Sequence, residues 1–236
     1  MRTLFLMLGA VAVVLVVLVA YWGITFYLTV QVSKKLIEAA VPYTKSGDNT
    51  NAVLVLGDST AVGVGADSPE DTVAGRVSSY LNASSVENYS VSGALTREVP
   101  AQAANAKFSQ YRLILIQTGG NDITRFRSAK EGAEDLRAAH GTLPAADRVV
   151  IISAGDVGGA TLFPFFIRPS HTKLNNEYHA AFAQVAEDTG VTYVNFGNAP
   201  ATTMINDRPD LYLSPDGLHP SSEGYALWFD TIKPSL

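Results

Sequence analysis

Three residues in this chain have the types and settings needed for acyl transfer. Ser59 stands in Val53-Leu54-Val55-Leu56-Gly57-Asp58-Ser59-Thr60, where four apolar, β-favouring residues run into a Gly-Asp-Ser turn. A serine that ends a buried strand lies at the carboxyl edge of a sheet, where open α/β folds bind their ligands. Serine is a weak nucleophile until a base takes its proton, and the base needs an acid to fix its tautomer and support its charge. Asp216-Gly217-Leu218-His219-Pro220 supplies such a pair. Three residues apart across a glycine turn, the Asp216 carboxylate can reach the near ring nitrogen of His219. The far nitrogen can then face Ser59, if the two loops meet at one sheet edge.

Acyl transfer also needs donors aimed at the developing oxyanion. Asn121 offers a side-chain amide in Gly119-Gly120-Asn121-Asp122, after the apolar run ending at Gln117. Gly93, in Ser90-Val91-Ser92-Gly93-Ala94, offers an unobstructed backbone N–H, and the N–H of Ser59 is a third donor. Each feature alone has an ordinary structural reading. Serines at strand ends cap helices, Asp-x-x-His turns open them, and loop glycines form turns. The combination carries the weight, because four loops follow four different strands.

The elements that must position these residues alternate along the chain. Val53–Leu56, Val86–Tyr89, Leu113–Ile116, Val149–Ile152 and Val191–Phe196 read as strands. Between them, helices are expected from Ser68-Pro69-Glu70-Asp71 to Leu81, from Pro100 to before Tyr111, over 128–139 and over 172–186. A last helix is expected over 221–232. Strands that are apolar throughout and alternate with helices imply a parallel sheet covered on both faces. The expected fold is therefore a three-layer α/β/α sandwich.

The domain is preceded by an apolar segment. No charged side chain occurs from Thr3 to Ser33, longer than the ~20 residues a bilayer core requires. A cleavable signal peptide would have an apolar region of about 7–15 residues and a small-x-small site. Here Leu18-Val19-Ala20 is a poor site, and Tyr21, Trp22 and Tyr27 suit an interfacial belt. Residues 1–32 are thus expected to be a single-pass transmembrane helix. Residues 33–51 are expected as a juxtamembrane segment and polar linker, and residues 52–236 as the folded domain. Arg2 against Lys34 and Lys35 nearly balances the positive-inside rule, and the domain is placed on the extracytoplasmic side.

The 236 residues carry a net charge of −5, and no basic stripe with interleaved aromatics occurs, which argues against nucleic acid. The chain has no cysteine, which excludes thiol catalysis, thiolate metal sites and disulfides. His140, His171 and His179 lack motif context and read as surface or helix residues, and no His-Glu-x-x-His motif suggests a metal. Gly63-x-Gly65 lacks the third glycine and the later acid of a dinucleotide fingerprint. Leu162-Phe163-Pro164-Phe165-Phe166-Ile167 is open to three readings: packing on the core, lining an acyl pocket, or touching the membrane beside the anchor. Leu162, Phe163, Phe165 and Phe166 are its substrate-binding candidates.

Gly57-Asp58-Ser59, Asn88-Tyr89-Ser90-Val91-Ser92-Gly93, Gly120-x-Asp122 around Asn121, and Asp216-x-x-His219 resemble the four blocks of the SGNH, or GDSL-like, hydrolases. The resemblance runs in order from about residue 53 to the end. It departs at Thr60, where the short family name has leucine. By resemblance, Ser59 is the nucleophile, His219 the base and Asp216 its orienter, while Ser59, Gly93 and Asn121 form the oxyanion hole. Asp58 and Asp122 are expected to make structural hydrogen bonds. The resemblance also implies a flavodoxin-like sheet and neither metal nor cofactor. The expected activity is hydrolysis of carboxylic esters through an acyl-enzyme, with lipid or lysophospholipid-like esters favoured by the anchor. The alternatives are an O-acetyl esterase or acyltransferase on envelope carbohydrate, or a non-catalytic binding module.

Overall fold

The computed structural model describes residues 2–197 and 199–236, with side chains from residue 6 onward. Met1, the first residue of the expected anchor, and Asn198 lie outside the described residues, as does the side chain of Arg2. Five parallel strands form the central sheet: β1 (Ala52–Gly57), β2 (Ser85–Asn88), β3 (Leu113–Thr118), β4 (Val149–Ser153) and β5 (Thr192–Val194). Their order is β2-β1-β3-β4-β5, the flavodoxin-like arrangement. The helices are α1 (Arg2–Ala39), α2 (Ser59–Val62), α3 (Val73–Leu81), α4 (Val99–Ala103), α5 (Gly120–Thr124), α6 (Ala129–His140), α7 (Arg168–Thr189), α8 (Pro200–Asp207), α9 (Pro209–Tyr212) and α10 (Ser222–Ile232).

Alternation along each strand divides the core into two layers. Val53, Val55, Leu113, Leu115, Val150 and Ile152 pack with Val77 of α3 and with Tyr225, Trp228 and Ile232 of α10. Leu54, Leu56, Ile114, Ile116 and Ile151 pack with Val99 of α4, Leu136 of α6 and Phe182 of α7. The central strands have no solvent face, which is why they read as unbroken apolar runs.

The register brings the functional loops together. Gly57 is level with Gln117, and Thr118 with Ser153, so β1, β3 and β4 end almost in step. The loops carrying Ser59, Asn121 and Asp156 therefore leave one edge. Gly57 is required there: its φ is +136°, and a Cβ would lie 1.9 Å from the Gln117 carbonyl oxygen.

Several elements differ from the expectations in extent. The helix expected from Pro69 to Leu81 is broken at Thr72, which is extended and whose hydroxyl caps the Gly75 N–H, so only the second part is α-helical. The helix expected from Pro100 ends at Ala103, and the Lys107 N–H is then taken by the Glu87 carboxylate as the chain turns toward β3. Helix α7 begins at Arg168, earlier than expected, and stops at Gly190 in the left-handed conformation. The polar stretch expected as a linker lies along the outer edge of β2. There Lys45 and Val86 exchange backbone hydrogen bonds of 3.0 and 2.9 Å, covering an edge that would otherwise be open.

Helix α1 spans 38 residues, about 57 Å at ~1.5 Å per residue. Most of its side chains from Leu6 to Leu28 face outward, and it meets the domain from Trp22 onward, where that ring lies against Phe165. By length and composition it is a membrane anchor or a signal sequence.

His171 and His179 are helix residues, as expected, but they are buried rather than at the surface. His179, on α7, faces the end of β4 and the middle of β5. Its Nδ1 is 2.9 Å from Ser153 Oγ and 2.7 Å from Tyr193 Oη, and its Nε2 is 2.8 Å from Asn175 Nδ2. Burial lowers its pKa to about 4. Below the ordinary histidine value of ~6.5, the unfolded chain takes up a proton that the folded protein refuses until about pH 4. Stability should therefore fall as pH drops through that window, and less so in His179→Asn. Thermal unfolding midpoints of the two proteins at pH 7 and pH 5 measure the difference.

Candidate active site

Ser59 is placed by the turn that ends β1. The Asp58 N–H continues the ladder to Gln117 O at 3.0 Å, and the Asp58 carboxylate accepts from Thr60 N (2.9 Å) and Thr60 Oγ1 (2.8 Å). That bond makes Asp58 the N-cap of α2, with Ser59 as its first residue. From the side of α4, the buried Gln102 amide accepts from Gly57 N (2.7 Å) and donates to Gly57 O (2.9 Å). Asn88 at the end of β2 donates to Ala61 O at 3.0 Å, which explains the buried asparagine of the second motif.

The second half of the site is the turn before α10. The fully buried Asp216 carboxylate accepts from Ser214 Oγ (2.9 Å), Leu218 N (2.9 Å) and His219 N (3.0 Å) through one oxygen. Its other oxygen is 2.6 Å from His219 Nδ1. His219 Nε2 lies 2.8 Å from Ser59 Oγ. Ser214 N donates to His219 O, closing the loop, and Tyr225 Oη of α10 donates to Val64 O beside α2. The structure thus joins Asp216, His219 and Ser59 in one hydrogen-bonded line, all three at least nine-tenths buried.

Burial acts on Asp216 first and would raise its pKa. The bond and charge of the His219 ring and the N–H groups of Leu218 and His219 outweigh it, holding the carboxyl well below the usual range. An ionised carboxylate on Nδ1 leaves Nε2 as the acceptor for the Ser59 hydroxyl. Asp58 differs. Burial raises its pKa, the Thr60 bonds and His219 oppose that, and the nearby Asp122 adds to it.

Asn121 lines a cavity of about 90 Å³ together with Ser59 and His219, and its Nδ2 donates to Ala94 O at 3.2 Å. That bond ties Asn121 to the turn of Gly93, whose φ is +84°. Gly93 itself lines a neighbouring hollow with Val91, Ser92, Ala94 and Arg125, rather than this cavity. The cavity walls are mainly apolar, with Ala154, Val157, Ile205, Leu213, Leu218 and Trp228, and Asp156 and Asn206 are among the polar members. Among the described residues, no group of three or more histidine, aspartate or glutamate side chains is placed to hold a metal ion.

Leu162, Phe163, Phe165 and Phe166, expected as substrate-binding candidates, do not line the cavity. Phe163 packs on the core and edge-on to His171, at 4.5 Å between ring centroids. Phe165 and Phe166 are exposed. The loop leaves β4 on its own course because Leu162 N is held by Gly217 O at 3.1 Å and Arg168 binds the carbonyls of Phe163 and Thr161. The cavity wall comes instead from α8 and the Gly155–Gly159 loop, neither of which carries a motif or a regular apolar pattern. Pro200 and Pro209, each opening a helix, were the available signal.

Asp122 is structural in its contacts. Its buried carboxylate accepts from Thr96 N and Thr96 Oγ1 at 2.9 Å each, and Arg127 Nη1 bridges it to Asp135 at 2.5 and 2.7 Å.

Residues 55–227 match the model of the GDSL-like lipase/acylhydrolase family. No curated protein matches the sequence. Among solved structures, the chain is similar to a phospholipase A1 from Streptomyces albidoflavus, at 17% identity over 79% of this chain and 99% of that one, with a TM-score of 0.59. It is also similar to an acetylxylan esterase from Geobacillus stearothermophilus (19%, 80% and 95%, TM-score 0.58). A psychrotrophic esterase from Pseudoalteromonas is a third (23%, 80% and 96%, TM-score 0.56). At these identities the likeness establishes the fold.

Replacing Arg127 by Met would leave the buried Asp122 carboxylate without its cation. A loss on the order of 3 kcal/mol is expected, read as a lower urea midpoint at unchanged slope.

Proposed function

The chain belongs to the GDSL-like lipase/acylhydrolase family and is a serine hydrolase of ester bonds, and from that premise we propose that it cleaves short-chain acyl esters at a membrane surface through an acyl-enzyme on Ser59. The observation that carries this reading is the unbroken line Asp216–His219–Ser59, with contacts of 2.6 and 2.8 Å. Ser59 Oγ attacks the ester carbonyl carbon as its proton passes to His219 Nε2. Asp216 supports the imidazolium, and the oxyanion receives the N–H of Ser59 and the amide of Asn121, which share the cavity. His219 then gives its proton to the departing alkoxide. A water, deprotonated by the same nitrogen, attacks the acyl carbon and frees the acid and Ser59.

Size argues for the acyl group. The cavity beside Ser59 measures about 90 Å³, far below the ~300–1,000 Å³ of pockets that take drug-sized ligands. Acetyl to butyryl groups suit its apolar walls, and an O-acetyl group on an envelope carbohydrate is one such substrate. In this reading α1 is retained as a single-pass anchor with the domain on the extracytoplasmic side. It has far more apolar length than a signal peptide needs. A second reading, hydrolysis of a lipid ester such as a lysophospholipid, is favoured by one observation: two exposed phenylalanines beside the anchor. Transfer of the acyl group to an acceptor other than water would use the same acyl-enzyme.

The test is hydrolysis of nitrophenyl esters from acetyl to palmitoyl by the full chain in detergent. Ser59→Ala is expected to lose roughly a thousandfold or more in kcat, with the wild-type rate highest for the shortest acyl groups. A long-chain optimum would favour the lipid reading. Equal rates in well-folded wild type and variant would remove the nucleophile assignment.

A further inference from the structure

The loop between β4 and α7 carries an apolar tip that the site does not use. Phe165 and Phe166 are adjacent, 66% and 65% exposed, and packed edge to face with ring centroids 5.6 Å apart. Large apolar side chains that neither fill a core nor line a pocket usually mark a contact surface. The tip is held in place rather than loose. Arg168 Nε binds Phe163 O at 2.9 Å and its Nη2 binds Thr161 O at 3.1 Å, while Leu162 N is held by Gly217 O.

Its neighbour identifies the occupant. Phe165 lies against Trp22 of α1, with ring centroids 6.1 Å apart. Counted from Leu6 at ~1.5 Å per residue, Trp22 is about 24 Å along the helix, near the far side of a ~30 Å hydrocarbon core. Tyr21 and Trp22 are the residue types that settle at that boundary. The phenylalanines therefore sit level with the membrane interface and continue the apolar surface of the span. We propose that Phe165 and Phe166 insert into the lipid bilayer at its interface, giving the domain a second membrane contact beside the anchor.

This proposal rests on the reading of α1 as a retained anchor. It also has a consequence for the site. Ala160 lies in the cavity wall and Leu162 binds Gly217, between Asp216 and His219, so the loop that meets the bilayer is tied directly to the cavity wall and the catalytic turn.

Because the chain has no cysteine, a single introduced one takes a fluorescent label cleanly. Full-length Leu18→Cys, Phe166→Cys and Glu187→Cys, each labelled with a polarity-sensitive dye, are reconstituted in phosphatidylcholine vesicles carrying nitroxide lipids. Leu18 reports the span, and the exposed Glu187 lies about 28 Å along α7 from Arg168, near the opposite end of that helix from the loop. The expected result is a blue-shifted Phe166→Cys label quenched most by shallow nitroxides, a Leu18→Cys label quenched most by deep ones, and an unquenched Glu187→Cys label. A Phe166→Cys label as water-exposed as Glu187→Cys, with Leu18→Cys in the lipid, would overturn the loop contact and leave the anchor standing. A Leu18→Cys label in water would overturn the anchor and the proposal with it.

Discussion

The site depends on a buried carboxylate kept ionised by hydrogen bonds. Asp216 is fully buried, and burial alone would favour its protonated form. Four donors offset that: Ser214 Oγ, the N–H groups of Leu218 and His219, and the His219 ring. Satisfying the charge fixes the backbone from Ser214 to His219, so one set of bonds stabilises the anion and immobilises the imidazole. Gly217 makes the turn possible. Its φ is +64°, and a Cβ there would lie 2.1 Å from Thr161 Oγ1. The hydroxyl of Ser59 is then the partner of Nε2.

That turn would be useless without the sheet edge opposite it. Ser59 arrives there because β1 and β3 end in register, because Gly57 tolerates the Gln117 carbonyl, and because Gln102 satisfies both backbone groups of Gly57. The two halves, 160 residues apart in sequence, are joined by Tyr225 of α10 reaching Val64 O as well as by the His219–Ser59 bond itself. The geometry is over-determined from both sides, which is how a site holds reacting groups within a few tenths of an ångström.

Much of this could be read from the residues. The five strands were visible because buried parallel strands are apolar at every position, and Ser59, His219, Asp216 and Asn121 were visible because each follows such a run or opens a helix. What escaped was the part without periodicity. Helices α8 and α9 are short and polar, and the Gly155–Gly159 loop has no regular pattern, yet Val157, Ile205 and Asn206 form the cavity wall. The aromatic loop misled in the opposite way. Its composition suits a substrate pocket, and only the bonds from Leu162 to Gly217 and from Arg168 to two carbonyls turn Phe165 and Phe166 outward. Composition reports that a surface is apolar, whereas its direction is set by backbone hydrogen bonds made many residues away.

Everything above turns on Ser59 acting as a nucleophile activated by His219. It is tested most directly by treating the full chain in detergent with a fluorophosphonate, measuring intact mass and mapping the modified peptide. One adduct per chain is expected, on Ser59, and its formation should slow by orders of magnitude in His219→Ala. An adduct on another serine, or modification of Ser59 at the same rate without the imidazole, would contradict it.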